Sequence, residues 1–288
     1  MVEAHPKHLR GAPLAKQIKA EVAEGVEQWR ERGVQPRMAV VLATDDPAAE
    51  QYERSKAKNA AKLGIEMELV SLGTGCSQRE LEARLRALCD DEKVHGVLLS
   101  LPLAAQLETE PALSCIHPHK DVDGLHPANL GLLLAAREDE ALAPATPLAC
   151  ILLAETVRPL EGQRVVVVGR GRTVGKGLLP LLVNRNATVT VCHSRTRDLP
   201  EVVREGDVVF VAVGRSGLVG AEHLREGQLV VDAGINWSEA GTTGDVRTDE
   251  AIDVVERITP VPGGVGPVTS SLVFRNLLRA IELQRQEA

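Results

Sequence analysis

RVVVVGRGRTVGKGLLPLLVNRNATVTVCHSRT, running from Arg164 to Thr196, decides the fold class of this 288-residue chain. A valine run closed by Gly169 reads as a fully buried strand. The segment that follows, through Val183, has helical spacing, and Ala187 to Thr196 is β-branched. Strand, glycine turn, helix and strand make a βαβ unit. Its first turn needs glycine so that backbone N–H groups can approach a pyrophosphate at the helix N-terminus. Gly169, Gly171 and Gly175 supply it.

The spacing GRGRTVG departs from G-x-G-x-x-G, so the glycines alone also fit an ordinary strand-to-helix turn. The end of the second strand discriminates further. An NAD site usually carries Asp or Glu there to hold the ribose 2′-OH, whereas this chain has His193, Ser194, Arg195 and Thr196. A hydroxyl and a guanidinium suit a 2′-phosphate that an acid would repel, which points to NADP. The competing reading is a solvated strand end.

Working outward, the second half continues with VVFVAV (Val208–Val213), LVVDAG (Leu229–Gly234) and ITPV (Ile258–Val261), extending a doubly wound sheet. The first half places Leu14, Ile18, Val22, Val26 and Trp29 on one helix face. Three apolar runs then alternate with helical segments: MAVVLA (Met38–Ala43), MELVSL (Met67–Leu72) and VHGVLLSL (Val94–Leu101). This half is also α/β with a mainly parallel sheet. The segment Glu138–Pro147, acidic and then rich in Ala and Pro, marks the domain boundary. A last helix carries Phe274, Leu277, Leu278 and Ile281, with Thr269 or Ser270 as its cap.

Hydrophobic residues make up 44% and charged residues 25% of the chain, the balance of a globular protein with room for two domains. No apolar run approaches a membrane span, and the start MVEAHPKH lacks a signal-peptide core, so a cytoplasmic protein is expected. Cys76, Cys89, Cys115, Cys150 and Cys192 are scattered without zinc spacing, so no metal is expected. A net charge of −7 and a near absence of aromatic residues argue against nucleic acid.

Candidate chemistry lies in three segments. In DDPAAEQYERSK, Asp45 and Asp46 can cap a helix, Pro47 suits its first turn, and Tyr52 and Lys56 fall on one helix face. Such a pair is a candidate acid/base if the lysine is buried; the plainer reading is a packed helix surface with Lys56 reaching solvent. KDVDG (Lys120–Gly124) reads either as a capping turn or as a carboxylate that accepts from the N–H groups of a heterocycle. TPVPGGVGPVT (Thr259–Thr269) has three prolines and three glycines in eleven residues, a constrained path of the kind that holds backbone against a ligand.

In order, DDPAxxxYxxxK, VHGxLLxLPL, KDVDG followed by Asn129 and Gly131, the glycine turn, ATVTVCHSRT, GIN (Gly234–Asn236), GDV (Gly244–Val246) and TPVPGGVGP resemble the bifunctional methylenetetrahydrofolate dehydrogenase/cyclohydrolase family over nearly the whole chain. The resemblance implies a folate-binding catalytic domain over residues 1–146, joined by a C-terminal helix (269–288) that returns to it, and a Rossmann-like NADP-binding domain over 147–268. It implies NADP-dependent oxidation of 5,10-methylene-tetrahydrofolate, hydrolysis of the methenyl product to 10-formyl-tetrahydrofolate, and a homodimer. Lys56 becomes the principal catalytic residue, Tyr52 the ring packed on folate, and Asp123 the pterin contact. Gly169, Arg170, Gly171, Ser194 and Ile235 fall at the cofactor positions. Several positions depart from the family: Gly171 stands for Ser in the glycine turn, PATP for PCTP, GPVT for GPMT, and Ala49 for Ser. Ser100 stands where the family has a Gln that assists the lysine, so hydrolysis is expected to lag behind oxidation. Two other readings remain at this point: a divergent enzyme for a modified pterin, and a folate- or nucleotide-binding protein without catalysis.

Overall fold

Runs of Met, Val and Leu buried on both faces are satisfied only in a parallel sheet covered by helices. The computed structural model, which describes residues 5–238 and 241–287, contains two such sheets in two units, one of residues 17–145 and 270–287, the other of residues 5–16 and 146–269.

In the first unit, helix α1 (Ala12–Glu31, residues 17 onward belonging here) buries Ile18, Val22, Val26 and Trp29. Next come β1 (Arg37–Leu42), α2 (Pro47–Lys62), β2 (Glu66–Ser71), α3 (Gln78–Asp90) and β3 (Gly96–Leu99), followed by the short helices α4 (Thr109–Leu113) and α5 (Pro127–Leu134). The strands form a parallel sheet of order β2-β1-β3, with Val40 beside Leu69 on one side and Leu98 on the other. Sequence decides where α2 starts: Asp46 accepts from the Ala48 N–H at 2.9 Å, and Pro47 opens the helix, where its missing N–H costs nothing. The carboxyl end of β1 thus feeds directly into the helix that carries Tyr52 and Lys56.

The second unit begins with α6 (Ala145–Glu155) and continues through β4 (Arg164–Val168), α7 (Gly175–Val183), β5 (Thr188–Cys192), α8 (Leu199–Arg204), β6 (Val208–Val211) and β7 (Leu229–Asp232). An antiparallel pair, β8 (Asn236–Ser238) and β9 (Gly241–Thr243), then precedes α9 (Thr248–Val254), β10 (Arg257–Ile258) and α10 (Val265–Glu287). The parallel sheet has order β10-β7-β6-β4-β5. Valines of β4, β6 and β7 are fully buried, as strands covered on both faces must be.

Two features differ from the sequence-based expectations, the start of the last helix and the placement of residues 5–16. The last helix begins at Val265, ahead of Thr269, because Pro267 is tolerated in a first helical turn and does not delay it. From Ser270 that helix packs in the first unit, where Asn276 donates to the carbonyls of Val122 (2.9 Å) and Ala143 (2.8 Å) and buries Phe274 and Leu277 beside it. Residues 5–16 group with the second unit and not with the domain assigned from residue 1: Leu9 N–H donates to Ile258 at 2.7 Å and Gly11 N–H to Gly263 at 3.0 Å.

Candidate active site

The centre of the first unit is a buried charge pair on α2. Lys56 and Glu53, three residues apart, are 6% and 2% exposed. The Lys56 Nζ lies 3.0 Å from Glu53 Oε1 and 2.9 Å from Oε2, so both carboxylate oxygens face the ammonium. The Tyr52 ring covers Nζ from another direction, 4.9 Å from ring centroid to nitrogen, a cation–π arrangement. Its hydroxyl lies 3.1 Å from Ser270 Oγ on α10. The plain reading of this helix face, a lysine extended into solvent, is therefore overturned. A carboxylate holds the ammonium inside.

Ser100, at the carboxyl end of β3, is 7% exposed and is fixed there by its N–H bond to Val41 at 2.9 Å. Its hydroxyl donates to Glu53 Oε1 at 3.3 Å, so Ser100 connects to Lys56 through the carboxylate. The two aspartates of KDVDG separate cleanly. Asp121 is fully buried and accepts from the N–H groups of His126 (2.6 Å) and Gly124 (3.2 Å) and from Asn129 Nδ2 (3.4 Å). Burial pushes its carboxyl up to about 7 against those donors, with Asp123 adding to the rise. Asp121 is the capping turn. Asp123 is the other reading: half-buried, with no described residue donating to its side chain. Burial raises its carboxyl above the usual range, the Lys56 charge pulls it down, and the Glu53 charge raises it again. An acceptor left unpaired beside a buried ammonium is what ring N–H donors require. Asn129 is structural: it donates to the Pro118 carbonyl at 2.9 Å and accepts from the Leu142 N–H at 3.2 Å.

In the second unit, β4 is where the connections reverse, β5 lying to one side and β6 and β7 to the other. In doubly wound sheets ligands bind outside the carboxyl ends of strands at such a switch point. Gly169 ends β4 there with φ +118°, and a Cβ on it would stand 2.0 Å from the Ala212 carbonyl oxygen, which follows β6. A Cβ on Gly175 would stand 2.4 Å from the Gly169 carbonyl oxygen. These two glycines are required by close backbone approach. Gly171 faces open space, so a side chain is tolerated at this position. Arg170, Ser194 and Arg195 are exposed around the turn, His193 N–H donates to Thr196 Oγ1 at 2.8 Å, and no acid ends β5. The residues present fit a phosphate-bearing dinucleotide.

Two buried aspartates set the neighbouring loops, and sequence analysis passed over both. Asp245, of GDV, accepts from the N–H groups of Val213 (2.6 Å), Gly214 (2.9 Å) and Arg215 (2.9 Å) and from Asn236 Nδ2 (2.9 Å). Asp232 accepts from Gly234, Asp245 and Val246 N–H groups at 2.9–3.1 Å, and burial raises its carboxyl to about 7 in spite of them. Ile235, just ahead of β8, and Trp237, on it, are left exposed. Glu53 is the other omission. Its signal was the i, i+3 carboxylate–amine spacing, which on its own is commonest on solvated helix faces. Away from both sites, His117, His119 and Glu287 bring ligand atoms within 4.8 Å of one another, a grouping that sequence spacing did not suggest.

Fold and site thus define a two-unit α/β protein with a dinucleotide turn in one unit and a buried lysine in the other. The catalytic-domain profile of tetrahydrofolate dehydrogenase/cyclohydrolase matches residues 9–123, and its NAD(P)-binding-domain profile matches residues 144–285. Among curated proteins, the bifunctional protein FolD of Heliobacterium modesticaldum is 48% identical over 280 residues, covering 96% of this chain and 97% of the relative. The crystal structure of the bifunctional methylenetetrahydrofolate dehydrogenase/cyclohydrolase FolD from Campylobacter jejuni superposes with a TM-score of 0.91 at 37% identity, over 96% of this chain and 98% of that one. A Trypanosoma brucei FolD, solved with NADP cofactor and inhibitor, gives 0.88 at 35% identity over 100% and 99%. The chain belongs to the tetrahydrofolate dehydrogenase/cyclohydrolase family and is an enzyme of it. The alternatives of a modified-pterin enzyme and of an inactive binding protein find no support in these relatives. Neither does the expected weakness in hydrolysis, since the relatives are bifunctional by name and Ser100 meets a carboxylate at the lysine.

Proposed function

We propose that this chain oxidises 5,10-methylene-tetrahydrofolate to the 5,10-methenyl form with NADP, and then hydrolyses that product to 10-formyl-tetrahydrofolate. The observation that carries the proposal is the buried Lys56 ammonium, 3.0 Å from its counter-charge, near an Asp123 carboxylate that nothing described in the chain pairs. Asp123 accepts from the pterin N–H groups and fixes the ring; Tyr52 packs on that ring while covering Lys56 Nζ. Lys56 serves the one-carbon bridge, holding a proton during oxidation and taking one from water during hydrolysis. Bound NADP supplies the hydride acceptor. For its part the chain keeps Gly169 bare at its close backbone approach, brings the Gly171 backbone into the same turn, places Arg170 and Ser194 to take the 2′-phosphate, and leaves Ile235 for the nicotinamide face. The NADP-bound Trypanosoma relative and the acid-free end of β5 support this cofactor over NAD.

Assembly as a homodimer in the cytoplasm belongs to the proposal on the strength of the family resemblance; no described helix is long and apolar enough to cross a membrane. The test is a spectrophotometric one: NADPH and methenyl-tetrahydrofolate appear together when enzyme, NADP and 5,10-methylene-tetrahydrofolate are mixed, and the methenyl signal then decays faster than in an enzyme-free control. Absence of methenyl formation refutes the assignment.

A further inference from the structure

A charge pair as deeply buried as Glu53 and Lys56 is a poor means of stabilising a fold. Desolvating two ions costs several kcal/mol each, and well-packed apolar residues of similar volume usually do as well or better. Glu53 nonetheless points both oxygens at Lys56 Nζ, at 3.0 and 2.9 Å, with a serine hydroxyl on the outer side of one of them. Tyr52 closes another direction of approach to the ammonium. The carboxylate therefore controls both where the lysine nitrogen sits and what charge it carries.

We propose that Glu53 is the positioning and proton-holding residue for Lys56 in the hydrolytic step. The proposal rests on the folate reading above. A proton moves along the short Nζ–H···Oε1 line, turning ammonium and carboxylate into neutral amine and carboxylic acid without exchange with solvent. Because the pair is neutral overall in both forms, burial opposes this step far less than loss of a proton to water. Ser100 Oγ–H steadies Oε1. The neutral amine then takes a proton from the water whose oxygen bonds to the methenyl carbon. In the adduct the C–N5 bond breaks, its electron pair stays on N5, and the hydroxyl proton passes to N5, leaving the formyl group on N10. Glu53 finally releases its proton to solvent, the one proton that hydrolysis of the methenyl cation yields. Oxidation needs no such cycle, since hydride departs without water being activated.

The proposal separates the two activities of one site. Glu53→Gln keeps shape and can still accept from Ser100 but removes the charge. Hydrolysis of added methenyl-tetrahydrofolate should fall at least about tenfold in kcat with KM within about twofold, and by a clearly larger factor than NADPH formation at saturating substrate. Glu53 holds Lys56 Nζ on both carboxylate oxygens, so acylation of Lys56 by an amine reagent at one fixed pH, followed by mass spectrometry, should be faster in the variant. That second readout depends on no folate chemistry: native enzyme lacking folate activity would sink the proposed function, whereas an unchanged acylation rate sinks the role of Glu53. Glu53→Asp, which retains the charge but withdraws it by one carbon, serves if the Gln variant fails to fold; native hydrolysis in either folded variant overturns the proposal.

Discussion

In the catalytic unit the carboxyl end of the sheet carries three buried polar side chains, Glu53, Lys56 and Ser100, bonded to one another over about 3 Å. In the nucleotide-binding unit the corresponding end presents bare backbone at Gly169, with the loops after β6 and β7 held by aspartates that accept from N–H groups and an amide, and with ionic side chains exposed around the rim. Both are parallel sheets of buried aliphatic residues, so the scaffold does not distinguish them. The difference lies in what each ligand requires. Chemistry on a one-carbon bridge needs charge at one atom, which only a side chain delivers; a pyrophosphate needs several donors in a small volume, which backbone delivers once Cβ atoms are absent.

This contrast can be broken experimentally, beginning with the largest effect. Lys56→Met keeps bulk and removes charge, and turnover should fall 10²–10⁴-fold, about 3–5 kcal/mol, with NADP affinity unchanged by titration. Normal turnover would move the chemistry out of the catalytic unit. In the other unit the buried Asp232 carboxyl, raised to about 7, favours its protonated form in the fold. That stability is present at about pH 4 and is lost as pH rises towards 7. Asp232→Asn cannot titrate, so its stability relative to the native protein should improve by up to about 4 kcal/mol between pH 4 and 7.5 in denaturant unfolding. A pH-independent difference would mean that the neighbouring N–H groups already hold the charge at no cost.

Gly169→Ala sets a methyl group against the Ala212 carbonyl at positive φ, and should weaken NADP binding or the unit itself by about 3 kcal/mol. Gly171→Ala, one residue beyond Arg170, should leave NADP affinity within about twofold, because its Cβ meets nothing. Equal effects would erase the distinction between the two glycines. For the rim, Arg170→Ala should cost about 1.5–3 kcal/mol of NADP affinity and spare NAD, measured by parallel titration. Equal losses for both cofactors would remove the 2′-phosphate assignment.

The strands were the most legible part of the molecule, because MAVVL, VLL, RVVVV and VVFV combine β-branching with burial on both faces, a signal that needs no tertiary knowledge. Strand β10 is only two residues long: Thr259 still donates its N–H to the Val230 carbonyl at 3.1 Å, but its hydroxyl takes the place of its carbonyl as acceptor for the Asp232 N–H at 2.8 Å, an interaction across 27 positions. The β8–β9 pair escaped notice since NWS and GTT carry almost no apolar alternation. At the site, Tyr52, Lys56 and Asp123 were found from motif order, but Glu53 was not. A Glu beside Arg54 on a polar helix looks solvated until α2 is seated on the sheet. The same applies to Asp121 and Asp123, whose roles diverge through what surrounds each and not through their identical chemistry.

The catalytic unit is written in two pieces of the chain, with the whole nucleotide-binding sheet encoded between them. On a ribosome this fixes a schedule. Lys56, Ser100 and Asp123 leave the exit tunnel long before Asn276, the residue that ties up the Val122 and Ala143 carbonyls. The nucleotide-binding unit itself ends at Thr269, seven residues before Asn276, so at ordinary synthesis rates its last segment precedes that residue by only about a second. A stop codon just after Ser270 would therefore release a chain that carries the whole nucleotide-binding unit but lacks the strut that completes its catalytic unit.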